Sequence, residues 1–390
     1  MKFSVSTIVS IAVANAAVAP AAAQSPAAAQ SPAQRTIAPA EEIRIPNSYV
    51  RSLTSKKNGH TYHLSVFLPS GYDPASSQRY PVLYFIPGDP FGIYIGQMVR
   101  FLASGDIPKL VVVGVDLGDA YPMDLPTAGP DKHWNVPDDR GAANFLSIMT
   151  GEIKPYVDAN FPTDPSDTGI GGHSLGGFFA LYAMLHAPET FRHVFASSPS
   201  LVWQDFVLLR DEAELAKRTH DLGVRAFVDQ GGQEGDDGRL AKLDQALRAR
   251  HYPSLRWTIR RAPGQTHQTI AFADGIDALY FIYGPPLRRA PDAELRSLAG
   301  EWQASDGTRF RLKTDGGRLY AVNFMSDDGD SVVELLSKAP DEWFIRYLWR
   351  TFAVTRPPGG APTLTIRLPD TPGPNGASKN PVLTAKRLGA

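Results

Sequence analysis

Gly172-His173-Ser174-Leu175-Gly176 sets a serine between two glycines in the pattern G-x-S-x-G. This spacing suits a sharp strand-to-helix turn that holds the serine in a strained conformation with its Oγ exposed. Side chains two residues before or after it would collide across the turn. The flanks agree: an apolar strand segment, Thr168–Gly172, comes before, an amphipathic helix over Phe178–His186 comes after, and Gly171 and Gly177 double the glycines. The amides at the start of that helix face a developing oxyanion. The chemistry predicted is nucleophilic attack by Ser174. A five-residue match alone is weak, and the competing reading is a Gly-rich packing turn around a buried serine.

A neutral hydroxyl is a poor nucleophile and needs a base. In this arrangement the chain order is serine, acid, histidine. Of nine histidines, His220, His251 and His267 lie well after Ser174 and past the next strand. His220 and His251 read as surface residues at helix ends. His267 sits in Pro263-Gly264-Gln265-Thr266-His267, between the last strand and the last helix, where the loop reaches the same end of the sheet as Ser174. His173 reads as structural. The acid should follow the strand at Val224–Val228, with Asp229, Glu234, Asp236 and Asp237 as candidates. Asp229 also reads as a strand-end cap, and Asp236 and Asp237 as acids at a helix start.

These residues need a scaffold. Apolar runs at Pro81–Pro87, Leu110–Val115, Gly169–Gly172, His193–Ser197, Val224–Val228 and Leu255–Ile259 read as strands. Helical periodicity covers Phe91–Leu102, Ala142–Asn160, Leu175–His186, Asp205–Thr219, Gly238–Arg250 and Thr269–Tyr283. Short buried strands alternating with helices predict an α/β fold with a mostly parallel central sheet flanked by helices. Ser48–Thr54 and Thr61–Pro69, around Asn58-Gly59, predict an antiparallel hairpin at one edge. A break follows at Gly284-Pro285-Pro286, and after Leu298 the pattern changes to short alternating strands with Gly and Asp turns, such as Thr308–Lys313, Arg318–Asn323, Ser331–Leu336, Glu342–Tyr347 and Leu364–Leu368. They predict a small all-β module resembling the β-barrel domains appended to some secreted hydrolases. Its aromatics, Trp302, Trp343, Phe344, Tyr347, Trp349 and Phe352, read first as a β core and second as a contact surface for substrate or cell envelope.

Residues 45 to 284 resemble the esterase family of α/β-hydrolases that includes esterase D, siderophore-ester hydrolases, feruloyl esterases and mycobacterial mycolyltransferases. The resemblance is carried by Tyr80-Pro81-Val82-Leu83-Tyr84 with Pro87-Gly88, by Asp124-Leu125-Pro126, by Glu152-Ile153-Lys154-Pro155-Tyr156 and by Ser198-Pro199-Ser200-Leu201-Val202-Trp203. It implies His267, in a P-G-x-x-H loop, as base and Glu234, in Gly231-Gly232-Gln233-Glu234, as acid. It also implies an oxyanion hole built from backbone N–H groups of Leu175 and Asp89. The family usually has Asp-Gly where this chain has Pro87-Gly88; a backbone donor does not depend on that side chain.

The whole chain sets the boundaries. Its 390 residues predict a large domain and a small one. A net charge of −1 argues against nucleic-acid and polybasic membrane partners. Lys2, the apolar stretch from Phe3 to about Ala19, and Ala21-Ala22-Ala23 before Gln24 have the layout of a secretory leader over residues 1–23. The apolar run is short of the ~20 residues a spanning anchor needs. Residues 24–40, rich in Ala, Gln, Ser and Pro, read as a disordered spacer, 41–284 as the catalytic domain, 285–297 as a linker and 298–390 as the β domain. No cysteine is present, so an exported form would rely on its core rather than on disulfides. No metal or cofactor motif appears, and Asp327-Asp328-Gly329-Asp330 reads as a turn. The expectation is an exported, periplasmic or secreted serine esterase acting on a small-molecule ester. The alternatives are acyl transfer from the same intermediate and a non-catalytic binding protein on this scaffold. Phe91, Tyr94, Trp134 and Trp203 are candidates for an aryl pocket or for core.

Overall fold

The computed structural model describes residues 45–102, 107–131, 135–235, 237–324, 331–346, 350–367, 371–372, 378–379 and 382–388. The expected leader and spacer, Trp134, Asp236, the 327–330 turn, Tyr347 and Trp349 lie outside the described residues.

The hairpin β1 (Ser48–Thr54) and β2 (Thr61–Phe67) comes first. It is followed by β3 (Tyr80–Ile86), α1 (Ile93–Leu102) and β4 (Val111–Asp116). Next, α2 (Ala142–Ile148) runs through a π-helical turn at Met149–Ile153 into α3 (Lys154–Asn160). Then come β5 (Thr163–His173), α4 (Leu175–His186), β6 (His193–Ser197), α5 (Val207–Ala216) and β7 (Arg225–Gly231). The domain closes with α6 (Arg239–Arg250), β8 (Arg256–Ala262) and α7 (Ile270–Tyr283). The eight strands lie in the order β1-β2-β4-β3-β5-β6-β7-β8. β1, β2 and β4 pair antiparallel in turn, and every other pairing is parallel.

Burial on both faces explains the apolar runs. Val82, Tyr84 and Ile86 of β3 join the core that α2 to α6 complete, and the alternate Leu83 and Phe85 are equally buried. On the second face an aromatic line runs Phe85, Phe195, Phe227, Phe281 at centroid spacings near 6 Å and reaches α7. The helix after Ser174 departs from expectation. Leu175 to Leu185 are all buried, so α4 is apolar all round rather than amphipathic. It packs against β5, β6, α2 and α5 and keeps no solvent face.

The stretch 285–297, read as a linker, carries most of α8 (Asp292–Leu298). Eight antiparallel strands then close into a barrel. They are β9 (Gly300–Ala304), β10 (Arg309–Asp315), β11 (Arg318–Val322), β12 (Val332–Ala339), β13 (Glu342–Ile345), β14 (Arg350–Thr355), β15 (Thr363–Arg367) and β16 (Val382–Arg387). β16 pairs with both β15 and β9, which removes the open edges. Trp302, Trp343, Phe344 and Phe352 are buried, and the Trp302 indole donates to the Leu298 carbonyl at 2.9 Å, seating α8 on the barrel. Arg346 joins the barrel to α7 through Asp277, at 3.3 Å, and the face of Tyr280.

Candidate active site

Ser174 stands between β5 and α4 with φ 59° and ψ −117°, a conformation costly for a non-glycine residue. Its N–H donates to Ser197 O at 2.9 Å and its carbonyl accepts from Phe178 and Ser200 N–H. The flanking glycines are there for space. A Cβ on Gly172 would lie 2.3 Å from the Gly176 carbonyl carbon, and one on Gly176 would lie 2.1 Å from the Ile86 carbonyl oxygen. The end of β3, the elbow and α4 therefore meet backbone to backbone.

His267 Nε2 lies 3.0 Å from Ser174 Oγ, and His267 Nδ1 lies 2.7 Å from Glu234 Oε2. The other carboxylate oxygen, Oε1, accepts from Gly231 N–H at 2.7 Å and from Ser198 Oγ. Burial works against the charged carboxylate, but the donors from Ser198, His267 and Gly231 outweigh it and hold Glu234 below the ordinary carboxylate range. The loops carrying base and acid are laced together: Gly232 N–H donates to Ala262 O at 2.8 Å and Gln233 N–H to Gln265 O at 3.0 Å. A Cβ on Gly231 or Gly232 would come within 2.7 Å of Gln265 O or Ala262 O, so paired glycines permit that lacing.

The other acid candidates sit elsewhere. Asp229, read also as a strand-end cap, lies inside β7 and is fully buried. Its Oδ1 accepts from Ser197 Oγ at 2.8 Å and Ser198 N–H at 3.1 Å, and burial pushes its pKa up to about 7. Asp237 pairs with Arg239 at the start of α6. His220 and His251 are exposed. His173 is buried, with Nδ1 3.4 Å from Ser197 Oγ and its ring between Phe91 and His267, at 4.5 and 4.7 Å. Burial, then the neighbouring His267, lowers its pKa to about 4, so it is neutral at pH 7.

The N–H groups of Leu175 and Gly176 open the helix α4, and the Tyr121 hydroxyl stands near them, donating to His173 O at 3.3 Å. On the other side, Asp89 is exposed with extended backbone, and Gly88 packs so closely on β4 that a Cβ would sit 2.9 Å from Gly114. Burial and the Asp89 charge raise the nearby Asp116 carboxyl. A cavity of about 180 Å³ opens beside His267, lined by Ser198, Ser200, Val202, Gln230 and Glu234 among others. A larger one, about 600 Å³, lies against the barrel around Arg288, Arg289 and Trp343 and contains none of these residues; the chemistry, not the volume, locates the site. Phe91 stacks on Phe272 at 5.1 Å, and Tyr94 meets Phe272 edge-on. Trp203 is 4% exposed and belongs to the core. The sequence reading passed over Ser198, Tyr121 and the buried Ser197–Asp229 pair. Only Ser198 carried a signal, in the Ser198-Pro199-Ser200 stretch.

The family sequence model described as Putative esterase matches residues 55–272, more than half of the chain. The chain belongs to this esterase family. The matched span holds Ser174, Glu234 and His267 and ends within α7, before the barrel. The chain is 30% identical to the ferri-bacillibactin esterase BesA of Bacillus subtilis over 186 residues, 43% of this chain and 63% of that protein. It is 28% identical to the siderophore triacetylfusarinine C esterase of Aspergillus fumigatus over 236 residues, 55% and 77% of the two chains. The chain thus spans under two thirds of the length of BesA. Among solved structures, the BES protein from Bacillus cereus matches with TM-score 0.56 at 23% identity, over 63% of this chain and 99% of that one. The siderophore hydrolase EstB from Aspergillus nidulans matches with TM-score 0.53 at 20% identity, over 63% and 98%. At these identities the structural matches establish the fold, an α/β-hydrolase. Among the described residues, no helix is long and apolar enough to cross a membrane, and no group of three or more metal-ligating side chains gathers.

Proposed function

We propose that this esterase-family chain is a serine carboxylic-ester hydrolase working through an acyl-enzyme on Ser174. The observation that carries the proposal is the unbroken line from Ser174 Oγ through His267 to Glu234, at 3.0 and 2.7 Å. His267 Nε2 takes the Ser174 proton as Oγ attacks the ester carbonyl, while Nδ1–H donates to Glu234. The N–H groups of Leu175 and Asp89 hold the tetrahedral oxyanion. Collapse breaks the ester C–O bond, and His267 passes its proton to the departing alkoxide. Water then gives a proton to His267 and attacks the acyl carbon, and Ser174 leaves as its alcohol with that proton.

The names of the two curated relatives make siderophore esters the first natural substrates to test. The leader-like residues 1–23 support an exported enzyme. Replacing Ser174 by Ala should abolish turnover of 4-nitrophenyl acetate while circular dichroism and Tm stay at wild-type values. A folded Ser174→Ala protein that keeps its activity overturns the proposal. Assays with and without added alcohol separate hydrolysis from acyl transfer by their products.

A further inference from the structure

We infer that Tyr121 is a third, side-chain member of the oxyanion hole, donating its phenolic O–H to the oxygen that becomes negative when Ser174 attacks. The inference rests on the hydrolase reading above and extends it to a residue that reading does not use.

Tyr121 opens a one-turn helix, Tyr121–Asp124, after β4, and this segment is fixed rather than free to swing. Three residues on, the buried Asp124 accepts from Tyr62 Oη at 2.8 Å and pairs with Arg140 at 2.5 Å. Asn58 in turn donates to Tyr62 at 2.8 Å. The Asp124-Leu125-Pro126 stretch thus gains a physical role: it anchors the segment that delivers Tyr121 to the elbow. There the hydroxyl reaches the elbow backbone at His173 O, near the Leu175 and Gly176 N–H groups. Its proton points to His173 O across 3.3 Å, long for an O–H···O bond, whose common length is about 2.7–2.8 Å.

An oxyanion held by Leu175 N–H must lie about 3 Å from that nitrogen, at the same turn of backbone where the Tyr121 hydroxyl meets His173 O. The oxyanion and the phenol oxygen are thereby brought together at the start of α4. One of them must then supply a proton, and the phenol has it. Burial raises the Tyr121 pKa to about 12, so the phenol stays protonated across the working range. As charge develops, the O–H turns from a distant, neutral carbonyl to a near, charged oxygen. That bond strengthens only in the transition state, which is the kind that raises kcat. No net proton moves.

The test is Tyr121→Phe, which keeps the ring and its packing. Removal of one oxyanion donor elsewhere costs about 10²–10³ in kcat. The expectation is a fall in kcat of about 10²-fold on 4-nitrophenyl acetate, with KM within about threefold and Tm unchanged. Phenylboronic acid, whose adduct with Ser174 carries an oxygen in that pocket, should weaken in parallel with kcat/KM. A ring needed only for shape predicts kcat and boronate affinity within threefold of wild type, and that result overturns the inference. Loss of kcat with full boronate affinity overturns it as well. Ser174→Ala in the same assays keeps the two levels apart: an inactive Ser174→Ala beside a fully active Tyr121→Phe sinks only the role of Tyr121, whereas an active Ser174→Ala sinks the hydrolase reading itself.

Discussion

Glu234→Gln is the most informative single substitution, because each oxygen of that carboxylate has a separate duty. Oε2 faces His267 Nδ1 at 2.7 Å, and Oε1 takes Gly231 N–H and the Ser198 hydroxyl. An amide has one oxygen. If it keeps two bonds, with Gly231 and Ser198, then its NH2 faces His267 and Nδ1 must become an acceptor. The ring proton moves to Nε2, the atom that must receive the Ser174 proton, and the base is lost. If the amide turns round, NH2 confronts the Gly231 N–H, and two donors meet in a half-buried site. The same tautomer fault in the Ser-His-Asp template lowers kcat about 10⁴-fold. A fall of about 10³–10⁴ is expected here, or roughly 4–5.5 kcal/mol at 1.36 kcal/mol per decade. It should appear in kcat with KM nearly unchanged, by stopped-flow and steady-state hydrolysis of 4-nitrophenyl acetate. A folded Glu234→Gln enzyme within tenfold of wild type refutes this chain of reasoning. A 10³-fold loss in Asp229→Asn would move the acid to Asp229.

Two further outcomes concern stability. Asp229 has a folded pKa of about 7 against an ordinary 3.8, so the fold keeps a proton that the unfolded chain releases. Its contribution is therefore fully present below about pH 4 and is lost as pH rises to about 7, by a few kcal/mol in order of magnitude. Asp229→Asn keeps an oxygen for Ser197 and Ser198 and does not titrate, so its Tm relative to wild type should rise by several degrees between pH 5 and pH 8; a difference that ignores pH counts against the buried, protonated carboxyl. Gly176→Ala places a Cβ 2.1 Å from Ile86 O, and backbone cannot yield as a side chain can. The expected loss is about 3 kcal/mol or more in chemical denaturation, together with most of the activity, and a wild-type Tm with wild-type turnover would contradict the backbone contact at the elbow.

Period and punctuation carried much of the fold into view. The runs at Pro81–Pro87 and Leu110–Val115 are apolar without alternation because β3 and β4 are buried on both faces, and that marks a parallel sheet. The helix at Asp292–Leu298 was hidden by its seven-residue length and by the Pro-rich stretch before it. The full burial of α4 is masked in the sequence because one polar residue at its end, His186, imitates a solvent face. In the barrel, Gly300–Ala304 and Val382–Arg387 are strands set by closure through β16, a long-range pairing that local alternation does not encode.

The site divides along the same line. The elbow was legible since its glycines flank the serine at fixed spacing between a strand and a helix, and His267 stood out because few histidines follow the nucleophile. Choosing among Asp229, Glu234, Asp236 and Asp237 depended on how two loops fold against each other. The hydrogen bonds of Gly232 and Gln233 to residues 262 and 265 decide which carboxylate faces His267, and those contacts join segments some 30 residues apart. Tyr121 gave no signal at all, being a single tyrosine in a one-turn helix whose position depends on Asp124, Tyr62 and Arg140.

The central claim is that Ser174 is a nucleophile activated by His267. The full-length protein incubated with a fluorophosphonate, digested and read by tandem mass spectrometry tests it most directly. The account predicts one stoichiometric adduct on the peptide bearing Gly172-His173-Ser174-Leu175-Gly176, at Ser174. His267→Ala should slow its formation at least about 10³-fold, consistent with loss of a triad member. A folded protein that stays unlabelled, or carries the adduct on another residue, would contradict it.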